Sequence, residues 1–67
     1  MAITPKAARV NANLTLKDAA KAIGVSVKTL WNYESGVKQP NALHITKMLA
    51  LYGCKFEDII FVSKNIT

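Results

Sequence analysis

Residues 15–34 read T-L-K-D-A-A-K-A-I-G-V-S-V-K-T-L-W-N-Y-E, a spacing that predicts two short helices joined by a tight turn. Thr15 can cap the first helix. Asp18, three residues on, completes a capping-box-like pair and puts negative charge in the positive first turn. Ala19, Ala20 and Ile23 supply the inner face. Gly24 then stops the helix, because a residue without a Cβ enters left-handed backbone space without penalty. After the apolar Val25, Ser26 is placed as the N-cap of a second helix running from Val27 to Glu34. Leu30 and Tyr33 share one side of it, while Val27, Lys28, Trp31 and Asn32 lie on others. This polar and aromatic outer face is either a solvated surface or one turned toward a ligand.

The flanking sequence extends the helical pattern both ways. Thr4 is an N-cap and Pro5 a first helical residue, where its missing N–H costs nothing. That helix continues to Ala12, with Asn13 as a left-handed terminator. Ala8 and Ala12 permit close approach of a neighbour, and Leu14 precedes the Thr15 cap as a hydrophobic staple does. Downstream, residues 35–41 form a loop in which Gly36 ends the preceding helix and Asn41 caps the next. Leu43, Ile45, Met48, Leu49, Leu51 and Tyr52 spread around the helix from Ala42 to Tyr52, which predicts the most buried helix of the chain. Gly53 ends it. A last helix from Phe56 to Phe61 presents Phe56, Ile59, Ile60 and Phe61, with Glu57 and Asp58 favoured in its first turn. Residues 62–67 read as a tail or as an arm that meets another subunit. The expectation is five short helices in one all-α domain spanning 1–67.

At 67 residues, 51% of them hydrophobic, the chain can close one small core, worth roughly 3–5 kcal/mol without disulfide, metal or partner. Nine Lys and Arg against four Asp and Glu leave a net charge of +5. Such a balance points to nucleic acid or to an acidic membrane surface. Six of the nine basic residues lie in the stretch 1–38, so the charge travels with the two-helix segment. A single cysteine, Cys54, excludes an internal disulfide and a cysteine-based zinc site, and reads as a small buried filler. Neither a signal-peptide pattern nor a membrane-length apolar run is present, so a cytoplasmic protein is expected.

Catalytic chemistry finds no residue set. His44 has no carboxylate or cysteine at metal-ligand spacing and reads as a solvated or partly packed histidine. Glu57 and Asp58 are adjacent and diverge on a helix. No glycine-rich phosphate loop occurs. Neither enzyme activity, metal nor cofactor is expected. Arg9 and Glu34 are more informative: either they pair and tie the second helix of the 15–34 segment to the first helix of the chain, or they are independent surface charges. The Ser26-capped helix is either a solvated basic face or one that enters the DNA major groove. In the groove its N-terminal side chains would reach base edges, while lysines and backbone N–H groups hold phosphates.

From Leu14 to Pro40 the chain reads L-T-x-x-x-A-A-x-x-x-G-V-S-x-x-T-L-x-x-Y-E-x-G-x-x-x-P, which resembles the helix-turn-helix of the Cro/C1-type (XRE-like) repressor family. Arg9 falls at that family's first-helix arginine, and residues 53–60 resemble its closing pattern, so nearly the whole chain is covered. The resemblance implies an all-α, five-helix, lambda-repressor-like DNA-binding domain with the helix-turn-helix at helices 2 and 3, and an Arg9–Glu34 salt bridge. It places base reading on Val27, Lys28 and Asn32, with Trp31 nearby, and phosphate contact on Thr15, Leu16, Lys17, Ser35 and Lys38. Leu16 is a departure. It stands where the family typically has a glutamine and cannot hydrogen-bond a phosphate through its side chain, leaving Thr15 or Lys17 to replace that contact. Ala8 and Ala19 are also smaller than the family's common leucines.

A sequence-specific, phage-repressor-like transcriptional regulator is therefore expected, bound to a double-stranded operator and dimeric at least on DNA. Its apolar end from Phe56 to Ile66 is the expected dimer surface. Neither membrane association nor a small-molecule effector is expected. The rival is a protein-interaction module, such as an antitoxin, whose DNA binding is secondary.

Overall fold

A computed structural model of the chain describes residues 2–61. Four α-helices follow in order: α1 (Pro5–Asn11), α2 (Leu16–Ile23), α3 (Val27–Ser35) and α4 (Ala42–Tyr52); a single 3-10 turn covers Phe56–Asp58. Each α-helix starts by one local device, a side-chain oxygen accepting the N–H three residues ahead. Thr4 takes Ala7 at 3.1 Å, Thr15 takes Asp18 at 3.0 Å, Ser26 takes Thr29 at 3.0 Å and Asn41 takes His44 at 2.8 Å. Each cap satisfies one of the N–H groups that a helix start leaves without a partner.

The α2–α3 turn is closed by the backbone. With Gly24 at φ +90°, the N–H groups of Gly24 and Val25 both return to the Ala20 carbonyl, at 2.9 and 3.0 Å. Ser26 follows at once as the cap of α3, so the two helices are linked by three residues and their relative angle is set by that short connection.

Helices of 8 and 9 residues are too short to persist alone in water; packing holds these. The core is Ala8, Ala19, Ala20, Ile23, Leu30, Met48, Tyr52 and Ile59, with Ile23, Leu30 and Met48 the largest side chains fully enclosed. Ala8 and Ala19, the positions smaller than in the resembled family, are sealed at 1% and 0% exposure. The helices close over them without a larger side chain. Two polar ties reach α4: Lys47 Nζ donates to the Ile23 carbonyl at the end of α2 (3.3 Å), and the Tyr33 hydroxyl meets His44 Nδ1 at 2.8 Å. His44 is thus a partly packed histidine joining α4 to α3.

Three expectations change. The segment from Phe56 to Phe61 is helical only as far as Asp58, and Ile59 is extended, in a parallel bridge with Ile3. Ile3 donates to the Asp58 carbonyl (2.8 Å) and accepts from Ile60 (2.9 Å), so the N-terminal segment holds the β-branched pair in place of a further helical turn. The all-α fold with its helix-turn-helix at α2 and α3 stands, and its fifth helical segment is this 3-10 turn. Second, α4 is not the most buried helix: only Met48 and Tyr52 are buried on it, and Leu43 is 60% exposed. It covers the core from one side, whereas α2 packs against both α3 and α4 and buries three of its eight residues. Third, Cys54 is half-buried rather than a buried filler, because it follows Gly53 on the way out of α4. The tail or arm expected over 62–67 lies outside the described residues.

Candidate nucleic-acid interface

The inner side of α3 is settled by Leu30, which is fully buried, and by Tyr33, half-buried against the core. Going round a helix at about 100° per residue, the remaining positions succeed one another as Glu34, Val27, Trp31, Ser35, Lys28, Asn32 and Thr29. Val27, Lys28 and Trp31 are exposed and Asn32 is half-buried. Burial of Leu30 therefore presents the four candidate base-reading residues as one continuous outer strip. Ser26 Oγ accepts from Thr29, and Leu30 N–H donates to the Ser26 carbonyl. The first N–H groups of α3, those of Val27 and Lys28, precede that ladder and stay open at the end from which side chains project.

Glu34 closes the strip and fixes its orientation. Arg9 Nε donates to Glu34 Oε2 at 2.7 Å and Nη2 to Oε1 at 3.3 Å, while Nη1 donates to the Leu14 carbonyl at 2.9 Å. The two side chains are only 10% and 6% exposed. A fork-to-fork pair of this kind carries geometry as well as charge: it locks α3 to α1 and to the chain entering α2. Tyr52 is buried beside the pair. Its hydroxyl has no hydrogen-bond partner among the described residues, and burial, with the Glu34 carboxylate adding, pushes its pKa up to about 12.

The candidate phosphate residues stand at both ends of the strip. Thr15 Oγ accepts from Asp18 N–H, which leaves its own hydroxyl hydrogen free, and Lys17 is exposed beside it. Beyond α3, the N–H groups of Val37 and Lys38 fold back onto the Asn32 carbonyl at 3.0 and 3.2 Å, and the Ser35 hydroxyl reaches the same carbonyl at 3.4 Å. Ser35 and Lys38 are thereby held against the last turn of α3. Leu16 is half-buried and packs against the core. The side chain that replaces the family's glutamine thus serves packing, while the N–H groups of Leu16 and Lys17 remain open at the start of α2.

One shallow depression of about 310 Å³ joins three helices and is lined by Lys6, Arg9, Leu16, Trp31, Glu34 and Ser35. Lys6 was not among the sequence-derived candidates. Its spacing of three from Arg9 on α1 places it on the ion-pair side of that helix, a signal that becomes visible once the Arg9–Glu34 pair is known. Among the described residues no three His, Cys, Asp or Glu side chains gather to hold a metal ion, and no helix is long and apolar enough to cross a membrane.

Comparison with known proteins agrees with this geometry. The helix-turn-helix family profile matches residues 6–59. The chain is 40% identical over 52 residues to the uncharacterized HTH-type transcriptional regulator YvzC of Bacillus subtilis (strain 168), covering 78% of this chain and 68% of that one. No solved structure matches significantly. With its capped helix pair, outward strip and matched span, the chain belongs to the Cro/C1-type helix-turn-helix family of DNA-binding transcription regulators.

Proposed function

We propose that the chain is a repressor-like regulator, of the phage-repressor type, that lays α3 in the major groove of a double-stranded operator in the cytoplasm. The observation that carries this reading is the outward strip Val27–Trp31–Lys28–Asn32 on a helix whose opposite side is anchored by Leu30 and whose end is pinned by the Arg9–Glu34 pair. A helix held that firmly presents its side chains at fixed angles, as base reading requires. Lys28 can donate to guanine O6 and N7, Asn32 can make the paired contact with adenine, and Val27 can meet a thymine methyl. Thr15, Lys17, Ser35 and Lys38 set the register on the backbone, aided by the open N–H groups of α2. Repression follows from occupancy, with no small-molecule effector.

The chain acts as one domain, and as a dimer on DNA. The described part of the 56–66 surface supports dimerisation: Phe56 and Ile60 are 62% and 47% exposed, and the Phe56 ring stacks on Phe61 at 6.2 Å. Two copies would address half-sites about 34–36 Å apart.

Selection of bound sites from random DNA tests this. A two-fold symmetric winner is expected. Asn32→Ala should flatten preference at one base pair, worth about 1–3 kcal/mol of discrimination, while Lys17→Ala weakens all sequences alike. Equal, uniform losses from both variants would mean that α3 is not the reader. Tight binding to a protein partner with only sequence-blind DNA affinity would favour an interaction module instead.

A further inference from the structure

The depression between α1, α2 and α3 offers two uncommitted donors, the Lys6 ammonium and the Trp31 indole N–H, with Leu16 contributing apolar surface. The Arg9 guanidinium is taken up by Glu34 and the Leu14 carbonyl, and the Ser35 hydroxyl by the Asn32 carbonyl. Its one strong acceptor, the Glu34 carboxylate, is consumed by the two bonds from Arg9 and is 6% exposed on its side chain. Among the described residues Lys6 has no carboxylate partner, and it is exposed, as is Trp31. A volume of about 310 Å³ lies at the lower end of the range for ligand clefts, about 300–1,000 Å³. What such a site accepts is an oxyanion with an apolar edge. A phosphodiester with its sugar has that chemistry, and an exposed tryptophan with one polar atom suits such a boundary.

We propose that this depression seats one backbone phosphate of the bound DNA, with Lys6 and the Trp31 indole N–H as its donors and Leu16 against the sugar. The proposal rests on α3 lying in the major groove. Trp31 sits next to Val27 and Lys28 around α3, so the depression continues from the reading strip toward α1, where a strand leaving the groove passes. Trp31 is then a backbone contact rather than a base reader. The seat also takes over the anchoring lost where Leu16 replaces glutamine: the donor moves from the side chain that opens α2 to the two helices flanking it.

The chain has a single tryptophan, so its emission reports this seat directly. Anisotropy and Trp31 emission would be followed on the selected operator duplex, with methylphosphonates neutralising one phosphate at a time. At one backbone position per bound copy, neutralisation should abolish the emission change and weaken binding about fivefold at 0.15 M salt. Lys6→Gln should cost the same and make the log–log salt slope shallower by about 0.9, with no further loss on the neutralised duplex. Trp31→Phe should weaken binding with the slope unchanged, since the lost donor is uncharged. Both positions are exposed, and circular dichroism checks that the variants fold.

If Asn32→Ala flattens base preference but Lys6→Gln leaves the slope intact and is additive with every methylphosphonate, α3 reads DNA and the seat is refuted. If selection yields no preferred site and Asn32→Ala changes nothing, the groove reading fails and the seat falls with it. If inorganic phosphate at millimolar concentration shifts Trp31 emission while methylphosphonates do not, the site takes free anions and the backbone assignment is overturned.

Discussion

Removing the Glu34 carboxylate tests the joint that holds α3 in place. In Glu34→Ala, Arg9 loses the 2.7 and 3.3 Å bonds and keeps only the 2.9 Å bond to the Leu14 carbonyl, at a site where its side chain is 10% exposed. A charge stranded in that way costs about 3–5 kcal/mol, more than the intact pair contributes over an apolar replacement. The lower figure, about 3 kcal/mol, is the better expectation, because the surviving carbonyl bond and residual solvent offset part of the loss. For a chain of 67 residues that corresponds to a fall in Tm of about 20 °C, most of the stability a domain of this size has. Urea and thermal unfolding, followed by circular dichroism, would measure it. In a double-mutant cycle with Arg9→Met the coupling should be large, and Arg9→Met with Glu34→Leu should recover most of the stability, since two apolar side chains strand no charge. Additive losses in the cycle would refute the assignment of the pair as the structural joint.

Tyr52 gives a prediction at high pH. Its folded pKa of about 12 lies above the ordinary 10.0, so the folded state holds the proton more tightly. The associated stability is present in full below pH 10 and is lost as the pH rises from about 10 toward about 12, with an upper bound of about 2.7 kcal/mol. Tyr52→Phe should remove that part of the pH dependence of the urea midpoint while changing stability little at pH 7, because the hydroxyl it deletes has no partner; an unchanged pH profile would contradict this. At Gly24 an added Cβ would meet only Lys47 Nζ, at 3.9 Å, so space is adequate and backbone strain at φ +90° decides. Gly24→Ala should destabilise by about 1–2 kcal/mol, and a neutral result in urea unfolding would show that the turn relaxes out of the left-handed region. Operator affinity should fall steeply with salt, each neutralised phosphate adding about −0.9 to the log–log slope. Lys17→Ala should remove about one such unit, and a slope near zero for the wild type would exclude phosphate anchoring.

How much could be read in advance follows from the range of the interactions concerned. Thr4, Thr15, Ser26 and Asn41 cap helices through bonds spanning three residues, and Gly24 ends α2 through its own backbone. Such contacts are complete within one turn of chain, so residue type and spacing suffice to place α1 to α4 to within a residue. The outer strip of α3 was legible for the same reason: once Leu30 faces inward, helical periodicity assigns the rest. Where the partner is distant, local pattern failed. Residues 56–61 have apolar residues and acidic first-turn residues compatible with a helix, yet Ile59 lies in extended backbone bridged to Ile3, and Ile60 donates to the Ile3 carbonyl, more than fifty residues away in sequence. The apolar spread of α4 promised burial on all sides, but a core this small has only one side to cover, and Leu43 is left outside. Lys6 carried no distinctive local signal; it joins Trp31 and Leu16 only because the Arg9–Glu34 pair ties α1 to α3. The caps and the amphipathic order of the helices were written in the sequence because they are set by neighbours. The Ile3–Ile59 bridge, the Arg9–Glu34 tie between α1 and α3 and the donors beside it were decided by tertiary structure, which brings together groups that no local spacing relates.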